Sequence, residues 1–294
     1  MPNPRYKTAG AFRQSLEERL NQISKNQGID LVRLRRRVAF DRLLARLFTN
    51  PHPQWVLKGG YAIELRFQNL ARATRDVDLS IPDPTRMTPE GKSQAQAIRE
   101  WIQEELDKDL RDWFVFLLGE QTSDLRAAPL GGMRFQVEVR VDQRIFARFN
   151  LDIGLGDTII TEPEWITGHE LLSFAEIPPA RIAVLPLDQQ FAEKIHAYTL
   201  PRERENSRDR DLIDIVLLIE QGLPPKEKVL RALHATFDRR ATHPLPLKLD
   251  PPPQSWREQY AALAAEYGLR LNTIETAYDY ISEYWSKLGI STYV

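Results

Sequence analysis

The chain has no cysteine among its 294 residues. Disulfides and thiolate zinc sites are therefore excluded, and a reducing, cytoplasmic setting is expected. Histidine is scarce, and the five present (His52, His169, His196, His234, His243) show no metal-ligand spacing. No apolar run approaches the roughly 20 residues that span a bilayer, so no membrane association is expected. The opening Met1-Pro2-Asn3-Pro4-Arg5 lacks the apolar stretch of a secretion signal. An excess of one charge is also missing: the formal net charge is −1, which by itself selects no partner.

The distribution of charge is more telling. Residues 1–75 hold 15 Lys and Arg against 5 Asp and Glu, and the remainder holds 25 against 36. Such an asymmetry suits a basic face joined to an acidic, metal-holding half, although a solvated basic helix would look the same. The basic excess concentrates in a helix expected over 30–49, where Arg33, Arg35, Arg36, Arg37, Arg42 and Arg46 stand among Leu31, Leu34, Val38, Leu43 and Leu47. These arginines could meet RNA phosphates or pair with acids elsewhere in the fold. Both readings stay open at this point.

Two short stretches carry the chemistry. Lys58-Gly59-Gly60-Tyr61 follows a short strand at 55–57 and opens a helix over 61–67. A Gly-Gly turn at a helix start offers backbone N–H groups to a phosphate. Arg75-Asp76-Val77-Asp78 then places two carboxylates on one face of a strand, with Thr74 and Ser80, while Val77, Leu79 and Ile81 face inward. Two hard oxygen donors beside a phosphate cradle are what Mg²⁺ and a nucleoside triphosphate require. Either stretch alone is common. In this order, 16 residues apart from Gly60 to Asp76, they outline a polymerase-beta-type nucleotidyltransferase core.

Alternation marks strands over 133–141 and 145–154, the second putting Asp152 on a polar face with Arg148 and Asn150. A third carboxylate on a neighbouring strand is the expected partner of an Asp-x-Asp pair. A buried strand is expected over 113–118, a helix over 11–25 and a charged amphipathic helix over 90–109. From Leu187 the chain reads as helical, over 188–198, 207–221, 226–240, 256–267 and 273–288, with a stiff stretch of five prolines at 243–253. The stripe Tyr278, Ile281 and Trp285 is expected in the core. A second polar cluster lies here: Glu193-Lys194-Ile195-His196, then Arg210-Asp211-Leu212-Ile213-Asp214. Lys194 and Asp211 could form a structural salt bridge between two helices.

As an ordered set, Leu57-Lys58-Gly59-Gly60, Arg72-Ala73-Thr74-Arg75-Asp76-Val77-Asp78, Leu151-Asp152-Ile153-Gly154, Glu193-Lys194-Ile195-His196-Ala197 and Arg210-Asp211-Leu212-Ile213-Asp214 resemble the AbiEii/AbiGii family of toxin nucleotidyltransferases, from about Phe12 to about Gly222. The resemblance implies an α+β fold: a polymerase-beta-type nucleotidyltransferase core, a small mixed sheet flanked by helices, with a helical C-terminal region. Expected boundaries are basic helices over 1–50, the core over 51–185 and the helical domain over 186–294. It implies a toxin of a bacterial toxin–antitoxin or phage-defence system, with a cognate antitoxin protein as partner. Related MenT-type toxins add nucleotides to tRNA 3′ ends and block translation. Carried over, Gly59 and Gly60 hold the triphosphate, Asp76 and Asp78 bind Mg²⁺, Lys194 contacts phosphate and Asp211 is a second essential acid. Arg75 becomes a phosphate contact, and Asp152 a third metal ligand or base by its geometry. Lys58 and Asp214 are supporting residues, and His196 packs locally. Two Mg²⁺ ions, an NTP substrate and tRNA phosphates on Arg33, Arg35, Arg36 and Arg37 complete the expectation. The competing reading is a nucleotidyl- or phosphotransferase acting on a small molecule or protein.

Overall fold

The computed structural model describes residues 5–87, 91–125, 128–202 and 208–290. Glu90 and Ser207, the expected first residues of two helices, lie outside the described residues. The chain divides into two compact units, the first made of Met1–Leu57, Ala73–Gly156 and Glu164–Val184.

The first unit begins with α1 (Ala9–Gln27) and α2 (Leu31–Leu47). The Thr8 hydroxyl accepts the Ala11 N–H at the start of α1, and the Asp30 carboxylate accepts the Arg33 N–H at the start of α2. Phe12, Leu16 and Leu20 form the buried stripe of α1, and Leu34, Val38, Phe40, Leu43 and Leu47 that of α2. These helices pack on a seven-stranded mixed sheet of order β3-β4-β5-β2-β1-β7-β6. The strands are β1 (Val56–Lys58), β2 (Asp76–Ile81), β3 (Phe114–Asp124), β4 (Gly132–Val141), β5 (Arg144–Leu155), β6 (Glu164–Thr167) and β7 (Arg181–Val184). Helix α4 (Gln94–Leu106) starts in a Ser93/Gln96 capping box and lies on β3. Phe40 of α2 meets Phe149 of β5 edge-on at 4.7 Å, which seats the helix on the sheet.

Much of the arginine in α2 is internal. Arg46 donates to both oxygens of the fully buried Asp112, at 2.9 and 2.7 Å, and Arg42 is paired with Asp41. Arg35 donates from Nε and Nη2 to one Glu17 oxygen of α1, at 3.0 and 2.7 Å. Pairing with acids inside the fold is thus what Arg35, Arg42 and Arg46 do. Arg37, expected at an RNA surface with Arg35, is only 7 % exposed and presents little charge to a polyanion. Arg33 and Arg36 are half-buried.

The second unit comprises Lys58–Arg72, Asp157–Pro163 and Leu185–Val294. It contains α3 (Gly59–Phe67), α5 (Leu187–Thr199), α6 (Asp209–Glu220), α7 (Lys226–Arg240), α8 (Arg257–Glu266) and α9 (Ile274–Leu288). One apolar core joins Ile63 and Ala71 to Phe191, Ile195, Leu212 and Val216. That burial groups 58–72 with this unit. Ile281 and Trp285 of α9 lie in the same core, as their spacing predicts, with Tyr278 packed against it. The proline-rich stretch is tied down: Leu249 is buried, and the Tyr198 and Tyr278 hydroxyls donate to the Asp250 and Leu249 carbonyls. No helix among the described residues is long and apolar enough to cross a membrane.

Candidate active site

In the first unit the acidic face is set by strand register. Val77, Leu79 and Ile81 of β2 are fully buried, so Asp76 and Asp78 take the opposite face, where both are half-buried. Strand β5 runs parallel to β2 with Asp76 beside Asn150 and Asp78 beside Asp152. Adjacent strands lie about 4.8 Å apart, which makes Asp78 and Asp152 immediate neighbours. The Asn150 amide donates to Asp76 Oδ1 at 3.0 Å. On the other side of β5, the antiparallel β4 sets Arg134 directly across from Asp152. Arg134 Nε and Nη2 each donate to one Asp152 oxygen, both at 2.7 Å. That bond, with the charges of Asp152, Asp76 and Asp78, raises the Arg134 pKa against the opposing effect of burial.

Hard carboxylate oxygens on one strand face fit a magnesium ion, and Asp76 and Asp78 supply them. Asp152 stands beside them with both oxygens engaged by a guanidinium. Among the described residues, no group of three acids or histidines converges closely enough to hold a metal. Sequence alternation placed Asn150 on a polar strand face, yet only the register reveals which acids Asn150 and Arg134 meet.

In the second unit, β1 ends at Lys58 and the chain turns into α3 through Gly59, whose φ of 69° is left-handed. A side chain there would be strained, which accounts for glycine. No side chain caps the N-terminus of α3, so its leading N–H groups have no side-chain acceptor from the N-cap. Lys58 itself points into a buried quartet. It pairs with Asp157 and, at 3.2 Å, with Glu193, while Arg240 meets Asp157 at 3.1 Å and Glu193 at 3.0 Å. Burial works to lower the Lys58 pKa, but Glu193 and Asp157 raise it on balance.

Lys194 of α5 occupies a second such cage. Its ammonium lies 2.6 Å from Asp211 and 2.7 Å from Asp214, both on α6. Arg72 grips Asp214 with Nε and Nη2 at 3.0 and 2.9 Å, and Arg208 reaches Asp211 at 3.3 Å. Against a burial penalty, Asp211 and Asp214 hold the Lys194 pKa up. Burial likewise works to raise the Asp211 pKa, and Lys194, first among the opposing charges, holds it down. The salt bridge foreseen between two helices is therefore present, and Asp214 is a full member of it. Arg75 is exposed at the entry to β2.

His196 packs, as expected. Its Nε2 bonds to Thr242 Oγ1 at 2.9 Å and its ring meets Phe237 at 5.0 Å. Burial, helped by the Arg240 charge, pushes its pKa down to about 3. The folded state thus holds neutral histidine where the unfolded chain takes up a proton below about pH 6.5. Stability carried by this group is complete above that value and fades as pH falls toward the folded pKa. By NMR the His196 ring, assigned by His196→Gln, should show no titration shift between pH 7.5 and 5. A midpoint above pH 5.5 for that ring would contradict the burial.

The match to protein-family models covers residues 42–280, and the family is described as the nucleotidyl transferase AbiEii toxin of type IV toxin–antitoxin systems. Among curated proteins none matches the sequence. Among solved structures, the chain is similar to MenT4, a nucleotidyltransferase toxin of Mycobacterium tuberculosis H37Rv, with 19 % identity, a TM-score of 0.59, and coverage of 92 % of this chain and 93 % of that one. At that identity the likeness establishes the fold, a nucleotidyltransferase sheet flanked by helices. With the family model spanning most of its length, the chain belongs to the AbiEii family and is a toxin nucleotidyltransferase.

Proposed function

We propose that the protein transfers nucleotides from an NTP to RNA, with tRNA 3′ ends as acceptor, and so blocks translation in the cytoplasm until a cognate antitoxin counters it. The observation that carries this reading is the half-buried Asp76 and Asp78 pair on β2 with Asp152 as the next residue across the sheet. When bound, Mg²⁺ would lower the pKa of the attacking hydroxyl and shield the triphosphate. Asp76 and Asp78 would hold it. Gly59, Gly60 and the start of α3 would accept the triphosphate through backbone N–H groups, with Arg75 and Lys194 as phosphate contacts. Asp211 sets the position and charge of Lys194. The 3′-oxygen forms a bond to the α-phosphorus, the bond to the bridging oxygen breaks, pyrophosphate departs and the hydroxyl proton passes to solvent.

Labelled NTPs incubated with the protein, Mg²⁺ and total tRNA test this directly. Label in RNA is the expected result; label in small molecules or protein would favour the competing transferase reading, and no label would reject both. For RNA docking, the half-buried Arg33 and Arg36 are the proposed phosphate contacts, since Arg35 is held by Glu17 and Arg37 is buried. Replacing both by glutamine should reduce the slope of log K against log salt by about 1 to 2 in filter binding. An unchanged slope would assign them to the fold.

A further inference from the structure

We propose that Arg134 stands in for a metal ion beside Asp152, so that the protein without nucleotide binds one divalent cation, at Asp76 and Asp78, and not two. This rests on the metal-dependent reading above and refines it.

The register lines up three side chains in a row across the sheet: Arg134 on β4, Asp152 on β5 and Asp78 on β2. The next row is Gln136, Asn150 and Asp76. These two rows therefore hold three carboxylates and one guanidinium, and Glu138 and Arg148 pair with each other in the row beyond. A second ion at Asp152 would have to displace or sit against a guanidinium that donates to both carboxylate oxygens. The Asp152 side chain is 11 % exposed and that of Arg134 35 %, so the pair is partly shielded from water and its charges are weakly screened. Both residues lie in the regular Gly132–Val139 part of the antiparallel β4–β5 ladder, which fixes their backbones opposite one another. The lack of any three converging acids among the described residues agrees with a two-carboxylate site. Asn150 completes the arrangement by holding Asp76 with an amide rather than a cation. Arg134 is thus a positioning and charge-compensating residue: it fixes the Asp152 carboxylate and keeps it from drawing an ion of its own.

Manganese counting by electron paramagnetic resonance tests this on the full chain without nucleotide, titrated to millimolar Mn²⁺. The wild type should bind one ion. Arg134→Met, which removes charge and fork together, should bind a second ion or bind Mn²⁺ at least tenfold more tightly. Arg134→Lys, which keeps the charge, should still bind one. Asp76→Asn should lose the wild-type ion. Two ions in the wild type would overturn the proposal even if Arg134→Met fails to fold. So would an Arg134→Met protein, folded by circular dichroism, with unchanged stoichiometry and affinity. Binding of no ion by wild type and variants alike would instead remove the Asp76 and Asp78 metal assignment.

Discussion

Asp76→Asn and Asp78→Asn should each reduce nucleotide transfer by about 10³-fold or more, while leaving the fold intact. The two carboxylates share the half-buried face of β2, and the residues that anchor the strand, Val77, Leu79 and Ile81, lie fully buried on the other. Asparagine keeps the shape and the neutral packing but loses the charge that holds a divalent ion. A pair of donors fails as a unit, so the double variant should be little worse than either single one. Initial rates of label incorporation into RNA give the comparison, with circular dichroism and a thermal melt as controls for folding. At position 76 the Asn150 amide now faces an amide, and flipping either group preserves a hydrogen bond, so the melting temperature should move little. Either variant retaining more than a tenth of the wild-type rate would take β2 out of the chemistry.

Lys194→Met should destabilise the helical unit by about 3 to 5 kcal/mol. The ammonium is the shared partner of Asp211 and Asp214, whose side chains are 6 % and 1 % exposed. Arg72 continues to neutralise Asp214, so the cost falls chiefly on Asp211, left with Arg208 at 3.3 Å. The double variant Lys194→Met, Asp211→Asn removes the stranded charge and should recover about 1 to 3 kcal/mol in urea denaturation. Because the folded pKa of Asp211 is depressed, the stability it contributes is complete above the unfolded carboxylate range and is lost as pH falls through the folded value. The benefit of the pair should therefore vanish in strongly acidic urea melts and persist at neutral pH. Transfer assayed on folded protein at low temperature separates two roles of the lysine. A phosphate contact predicts a raised KM for NTP or a lower kcat, whereas a brace alone predicts neither. A variant as stable as wild type would refute the cage.

How far the sequence foretold these features depends on range. Alternation located β4 and β5 within a few residues, and the inward Val77, Leu79 and Ile81 fixed the outward face of Asp76 and Asp78, because side-chain period is a local property. Strands β6 and β7 escaped notice, since four residues each are too short for a period to show and β6 is largely exposed. The partners of Asp76 and Asp152 were equally hidden. Asn150 and Arg134 are near their acids only through pairing between strands far apart in the chain. The arginines of α2 illustrate the same limit: a helical wheel cannot tell a guanidinium aimed at Asp112, 66 residues away, from one aimed at a polyanion. Residues 58–72 and 157–163 group with the helical unit, where Ile63 and Ala71 lie in the core and Ile160 packs against it, a grouping set by contacts between segments far apart in the chain.

The order in which the ribosome delivers the chain gives that interleaving a biological consequence. Strand β1 emerges early, yet its parallel neighbour β7 follows more than a hundred residues later, and α3 must wait for α5 and α6 before its apolar side is covered. Vectorial folding, one finished unit after another, is closed to such a path. Neither unit can close on a nascent chain until its last segment has emerged, at Val184 for the first and with the C-terminal helices for the second, so a truncated product lacks elements that complete the helical unit.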